Sequence, residues 1–166
     1  MLAKSKGFVS FGMKKLNLTF KILAYVVLFS LFSCEKDLVS PPLIVESQIL
    51  QLVNEHRASI KLKPLEMDAY ITYECRAHCK DMADGTVPFG HDGFDKRTQR
   101  IIKEIGGGAT GENVAFGQKS AKSVMDSWLN SPGHRANIEG NFTTIGIGAY
   151  QEGNGAIYYT QIFLKK

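Results

Sequence analysis

Apolar and polar positions follow two periods along this chain, a helical one first and an alternating one near the end. From Leu43 the pattern is helical: Ile49, Leu52, Val53 and His56 fall at i, i+3, i+4 and i+7, the spacing of one buried stripe, and the run ends before Pro64. Asp68 is suited to cap a second helix, whose stripe is Ile71, Cys75, His78, Cys79 and Met82, with Glu74, Lys80, Asp81 and Asp84 off it and Gly85 as its stop. A polar loop through Pro88, Gly90, His91 and Gly93 follows, and residues 96–105 form a shorter third helix before Gly106, Gly107 and Gly108 break it. Ser120 caps a helix carrying Val124, Met125, Trp128 and Leu129. Ser131 and Pro132 then restart the chain as N-cap and first helical residue, which puts His134 in a first turn. The free amides and positive dipole end there favour a neutral imidazole.

From Thr143 to Tyr150, and again from Ala156 to Leu164 after a Gly153-Asn154-Gly155 turn, the pattern is strand-like. In the last run Ile157, Tyr159, Gln161 and Phe163 form one alternate set and Tyr158, Thr160, Ile162 and Leu164 the other, so neither face is polar enough to be solvated. A strand buried on both faces needs a layer on each side. The expectation is an α+β domain, an α-β-α sandwich around a central antiparallel sheet, with no internal repeat.

The start of the chain changes the account of charge. Residues 1–33 carry Lys4, Lys6, Lys14, Lys15 and Lys21 and no acid, then an apolar run from Ile22 to Phe32 closed by Ser33-Cys34. This reads as a secretory signal peptide, too short in its apolar part for a comfortable membrane span, with an uncleaved N-terminal anchor as the alternative. Met13-Lys14-Lys15 looks like a natural start, making residues 1–12 an extension. Leu31-Phe32-Ser33-Cys34 resembles a bacterial lipobox, so Cys34 is the expected lipidation site and residues 34–42, with Pro41-Pro42, a short stiff tether. Residues 43–166 are then the folded domain. Without the five signal lysines the 20 basic residues become 15 against 16 acidic ones, a net charge of about −1 rather than +4. On that count no basic cluster survives to suggest nucleic acid or an anionic membrane surface as a partner, and the membrane is reached through the lipid alone.

Chemistry is concentrated in a few residues. Glu112 follows Gly111, and His91 and His134 are likewise flanked by glycines; all three read as held at turns that bring them together only on folding. Two imidazoles and a carboxylate suit zinc or a similar divalent ion with one coordination position left open. They suit equally a water-activating general base, or a plain structural role satisfying backbone groups in buried loops. Cys75, His78 and Cys79 share a helical face, a Cys-His-Cys set of the kind that binds metal or reacts, but two reduced thiols packing as small hydrophobes is the reading adopted; an i, i+4 disulfide is disfavoured by geometry. The chain has no Gly-x-Ser-x-Gly, no His-Glu-x-x-His and no phosphate-binding glycine pattern followed by lysine. Asn141-Phe142-Thr143 matches a glycosylation sequon that carries little meaning for bacterial export.

The block Gly111-Glu112-Asn113-Val114-Ala115-Phe116-Gly117, then Trp128, Ser131-Pro132-Gly133-His134-Arg135-Ala136-Asn137-Ile138, Phe142 to Gly148 and Tyr159-Thr160-Gln161, resembles the CAP superfamily of cysteine-rich secretory, antigen 5 and pathogenesis-related 1 proteins, in its bacterial SCP-domain form. Leu52 to Arg57 and Arg76 to Met82 are similar to that family's first two helices, and the likeness covers nearly all of residues 43–164. It implies an α-β-α sandwich and a surface cleft with His91, His134 and Glu112 on its walls, able in some members to hold a divalent metal through the two histidines. The family's second cleft acid falls where this chain has Ser131, and the segment associated with sterol binding in eukaryotic relatives is not recognisable here.

Together these readings favour a non-catalytic, extracytoplasmic, lipid-anchored binding module at the outer membrane or cell surface, for which Glu35-Lys36-Asp37 after Cys34 is a weak sign. Its cleft would hold a small-molecule, lipid or cell-envelope ligand, with no required cofactor and zinc as a candidate ion. The rival is a cell-envelope or peptide hydrolase with Glu112 as general base and the two histidines assisting.

Overall fold

The computed structural model describes residues 42–153 and 155–166, so the signal segment, Cys34, most of the tether and Asn154 lie outside the described residues. Numbered along that span, the elements are α1 Pro42–Ser59, β1 Glu66–Met67, α2 Ala69–Ala83, α3 Phe94–Ile105, β2 Thr110–Phe116, α4 Ala121–Asn130, α5 Pro132–Ile138, β3 Thr144–Gln151 and β4 Ile157–Leu164. Four strands form one sheet in the order β1-β3-β4-β2. The long strands pair antiparallel as expected, while the two-residue β1 adds a parallel edge to β3.

The alternation along β3 and β4 divides the interior in two. Odd positions Ile145, Ile147, Ala149, Tyr159 and Phe163 join Val45, Ile49 and Val53 of α1, Val124, Met125 and Trp128 of α4 and Ile138 of α5 in the larger core. Ile162 and Leu164 on the opposite face meet Ile71 and Cys75 of α2 and Ile101 of α3. Helices therefore cover both faces, and the α-β-α sandwich follows from a strand with no polar side.

Asp68 caps α2 as its sequence suggests, accepting from the amides of Tyr70 and Ile71. All five stripe residues of α2 are buried. Glu74, expected off the stripe, is buried too, because Arg100 of α3 reaches back to both its oxygens, at 2.8 and 2.5 Å. In α1 the stripe runs through Val45, Ile49, Val53 and Arg57, so Arg57 is buried where His56 was expected. Ser120 makes a capping box with Ser123 at the start of α4. Ser131 sits at the N-cap of α5 but its side chain makes no capping bond.

Both edges of the sheet are closed by side chains. On β3, beyond the end of short β1, the Ala149 amide donates to the Glu46 carboxylate at 3.0 Å. On β2, the carbonyls of Glu112 and Val114 accept from Asn137 Nδ2 at 3.0 Å and Trp128 Nε1 at 3.1 Å. Such caps remove the unpaired groups that make an edge strand prone to recruiting another chain.

Candidate functional site

The loop carrying His91 is pinned from two helices. His78 Nε2, on α2, donates to the Gly90 carbonyl at 2.9 Å, and Arg97 Nη1, on α3, donates to the Asp92 carbonyl at 2.6 Å. Gly93 lies between them as the N-cap of α3 with φ 73°, a left-handed conformation that glycine adopts without a Cβ penalty.

Glu112 lies on strand β2 rather than at a turn, its carboxylate almost wholly buried, with 1% of the side chain exposed. Arg97 grips it with a two-pronged ion pair, Nη2 lying 3.0 Å from Oε1 and 2.7 Å from Oε2 and Nε 3.2 Å from Oε2. His91 Nδ1 donates to Oε1 at 2.9 Å while the imidazole itself is 54% exposed. A proton held on Nδ1 leaves Nε2 as the lone-pair nitrogen of that ring.

His134 lies in the first turn of α5, as the Ser131-Pro132 start implied, and is half-buried. The helix is set on β2 by an amide network. Asn137 Nδ2 donates to Asn113 Oδ1 at 2.9 Å, and Asn113 Nδ2 donates to the His134 carbonyl and to Gln161 Oε1, each at 3.1 Å. Burial pushes the His134 pKa down, and the nearby charge of His91 adds to the shift. The neutral ring expected there is thus favoured by desolvation and a second imidazole, where the sequence suggested the helix dipole. Glu112 and His91 are in direct contact, while the bond from Asn113 to the His134 carbonyl holds the first turn of α5 beside β2.

Of the three residues singled out in the sequence, His91 and Glu112 are bonded to each other, and the His134 backbone is bonded to Asn113, the neighbour of Glu112. Among the described residues no three His, Cys, Asp or Glu side chains gather into a metal-holding set. Both Glu112 oxygens are engaged by Arg97 and His91. Arg97 was missed from sequence because a charged residue in a helix reads as solvated. Its position four residues before Ile101, on the buried stripe, was the available signal.

The other two histidines and the two thiols among the described residues are structural. His56 Nε2 bonds Glu139 at 2.9 Å. Cys75 and Cys79 are free and fully buried, as the apolar stripe implied. Cys79 donates to the Thr160 hydroxyl at 3.2 Å, and burial pushes its thiol up to about 12. Burial likewise lowers the His78 pKa, and with its Nε2 spent on Gly90 the Cys-His-Cys face has little to offer a metal.

The sequence pattern of the cysteine-rich secretory protein family, CAP, matches residues 50–163. The Bacillus subtilis protein YkwD is 36% identical over 130 residues, covering 73% of this chain and 47% of that protein. A solved extracellular protein containing an SCP domain, from Bacillus anthracis, is 32% identical with a TM-score of 0.66, covering 75% of this chain and 41% of its own. An outer surface protein of Borrelia burgdorferi shares the fold at 22% identity and a TM-score of 0.64, over 71% of this chain and 90% of that one. The chain spans about half the length of YkwD.

Proposed function

Because the chain belongs to the cysteine-rich secretory protein family, we propose that it works outside the cytoplasm as a lipid-anchored binding module, with His91 and His134 presenting a ligand site at the β2 edge. The single observation carrying this reading is the 2.9 Å bond from His91 Nδ1 to Glu112. A buried carboxylate that fixes the tautomer and orientation of an exposed imidazole is the arrangement that prepares Nε2 to bind a metal or accept a hydrogen bond. His134, kept neutral by its surroundings, supplies a second such nitrogen. A divalent ion held by the two rings would keep positions open for a ligand group or water, and zinc is the natural candidate for an imidazole pair.

Support for placement outside the cytoplasm comes from the signal-like N-terminus with its Cys34 lipobox and from the similar proteins, one described as extracellular and one as an outer surface protein. No helix among the described residues is long and apolar enough to cross a membrane. A hydrolytic role would require Glu112 to take up a proton while Arg97 and His91 hold both its oxygens, and nothing in the geometry favours it over binding.

Calorimetric titration of zinc into the domain, beside His91→Ala and His134→Ala, tests the reading. Saturable binding is expected in the parent, with a loss of about tenfold or more in either variant, the scale on which metal sites respond even to altered outer partners. Equal heats from parent and both variants would discard the site.

A further inference from the structure

A hollow of about 720 Å3 opens where the segment after α1, residues 139–144 and the last two lysines meet, and none of His91, Glu112 or His134 lines it. Its size falls within the range of roughly 300–1,000 Å3 common for small-ligand sites. At its wall lies Arg57, 2% exposed. The guanidinium donates only to backbone carbonyls: Nε to Lys63 at 2.8 Å, Nη1 to Ile138 at 2.7 Å and Gly140 at 3.0 Å, and Nη2 to Phe142 at a long 3.5 Å. Carbonyl dipoles satisfy its N–H groups, yet among the described residues no carboxylate touches it. A buried cation without a counter-ion is electrostatically incomplete. Burial also pulls its pKa below the ordinary arginine value, in keeping with a charge that lacks a compensating acid.

Around it the fold assembles what the linear sequence disperses: Lys61 and Lys63 from one segment, Lys165 and Lys166 from another. Five cationic side chains face two carboxylates, Glu66 and Glu139, and the latter already bonds His56. Lys165 Nζ donates to Asn141 Oδ1 at 3.1 Å and Lys166 Nζ lies 3.4 Å from Asp68. Lys61 and Lys63 form no ion pair among the described residues. Lys61 also holds a left-handed φ of 65° at the end of α1, where glycine would fit without strain. Stability alone gives no reason for a lysine there.

We propose that this hollow binds a phosphorylated ligand, the phosphate oxygens supplying the counter-charge that Arg57 and the two unpaired lysines lack. Phosphate is chosen because several separated donors facing one cavity match a group with three or more acceptor oxygens and more than one negative charge. The phosphate can belong to the headgroup of an anionic phospholipid or to a free phosphorylated compound. Net charge does not reveal this cluster, because its basic side chains come from segments far apart in the chain.

The test uses the mature chain carrying Cys34→Ser, so that lipidation does not mask the result, with two probes: sodium pyrophosphate by calorimetry, and co-sedimentation with phosphatidylglycerol-containing against pure phosphatidylcholine vesicles. At least one probe should bind, more weakly as salt is raised, and the variant Lys61→Gly with Lys63→Gln should weaken it by about tenfold or more. Thermal melts should show this variant at least as stable as the parent, since glycine relieves the left-handed backbone. Pyrophosphate binding alone would identify a free compound as the source, and selective sedimentation alone a lipid headgroup. Failure of both probes, or equal binding by the double variant, overturns the proposal. The zinc titration is a separate readout, so loss of one site leaves the other standing.

Discussion

Glu112 has almost no surface with which to meet a ligand, and that decides how its neighbours are to be understood. A carboxylate held by Arg97 on two sides is a support, and the exposed ring of His91 is what it supports. Residues of this kind are legible in a sequence only in part: His91, Glu112 and His134 stand out through their glycine and asparagine neighbours, whereas Arg97 carries no local mark beyond its place on a buried stripe. His78, tying α2 to the His91 loop, leads to a pH prediction. Burial lowers its pKa, as it does that of His134, so below about pH 6.5 the unfolded chain takes up protons that the folded one refuses. Stability should therefore be full above that pH and fall as the pH drops through it, by at most about 1.4 kcal/mol per pH unit for each such ring. Denaturant unfolding at pH 7.5 and 5.5 should show this loss, and a smaller one in His78→Gln; an unchanged pH dependence in the variant would exclude His78 as a source.

At the scale of elements, helices were legible wherever a whole stripe is apolar. The stripe of α2 and the caps at Asp68 and Ser120 needed only local chemistry. The misreadings occurred where a charged side chain is buried against a partner far away in sequence, as for Arg57 with the carbonyls after α5 and Glu74 with Arg100. Strand β2 was also hidden, because Gly111, Glu112 and Asn113 resemble turn residues until their partners on β4 and α5 are known. Gly146 and Gly148 belong to β3 for a reason of packing that sequence shows only as a repeated glycine. A Cβ on Gly146 would overlap the backbone of Ile71 and Thr72, and one on Gly148 the backbone of Cys75 and Arg76. The glycines are what let α2 lie directly on the sheet. Gly146→Ala should cost about 3 kcal/mol by forcing helix and sheet apart, read as a lowered urea midpoint. Gly133→Ala, where the added methyl meets open space, should be neutral or slightly stabilising; equal behaviour of the two variants would show that α2 can shift to accept the methyl.

For the molecule as a whole, the two faces of the sheet are not equally secured. The face carrying α1, α4 and α5 holds most of the apolar core, including Trp128. On the other face, α3 contributes Ile101 as its one fully buried apolar residue, and two ion pairs, Arg97 with Glu112 and Arg100 with Glu74, tie it to the rest. A helix held by few apolar contacts opens at a lower cost than the whole fold. Amide hydrogen exchange should accordingly find α3 and the His91 loop exchanging well before β3 and β4. Arg97→Met keeps the bulk of the side chain but leaves Glu112 buried without its counter-ion, a change worth about 3–5 kcal/mol, so α3 exchange should quicken on the order of a hundredfold or more. Because His91 and Arg97 of α3 hold the same Glu112 carboxylate, zinc bound at the two imidazoles should slow α3 exchange in the parent protein and have little effect in Arg97→Met. Identical exchange rates for α3 and β4, with and without zinc, would mean that the domain opens only as one unit and that site assembly is not coupled to this helix.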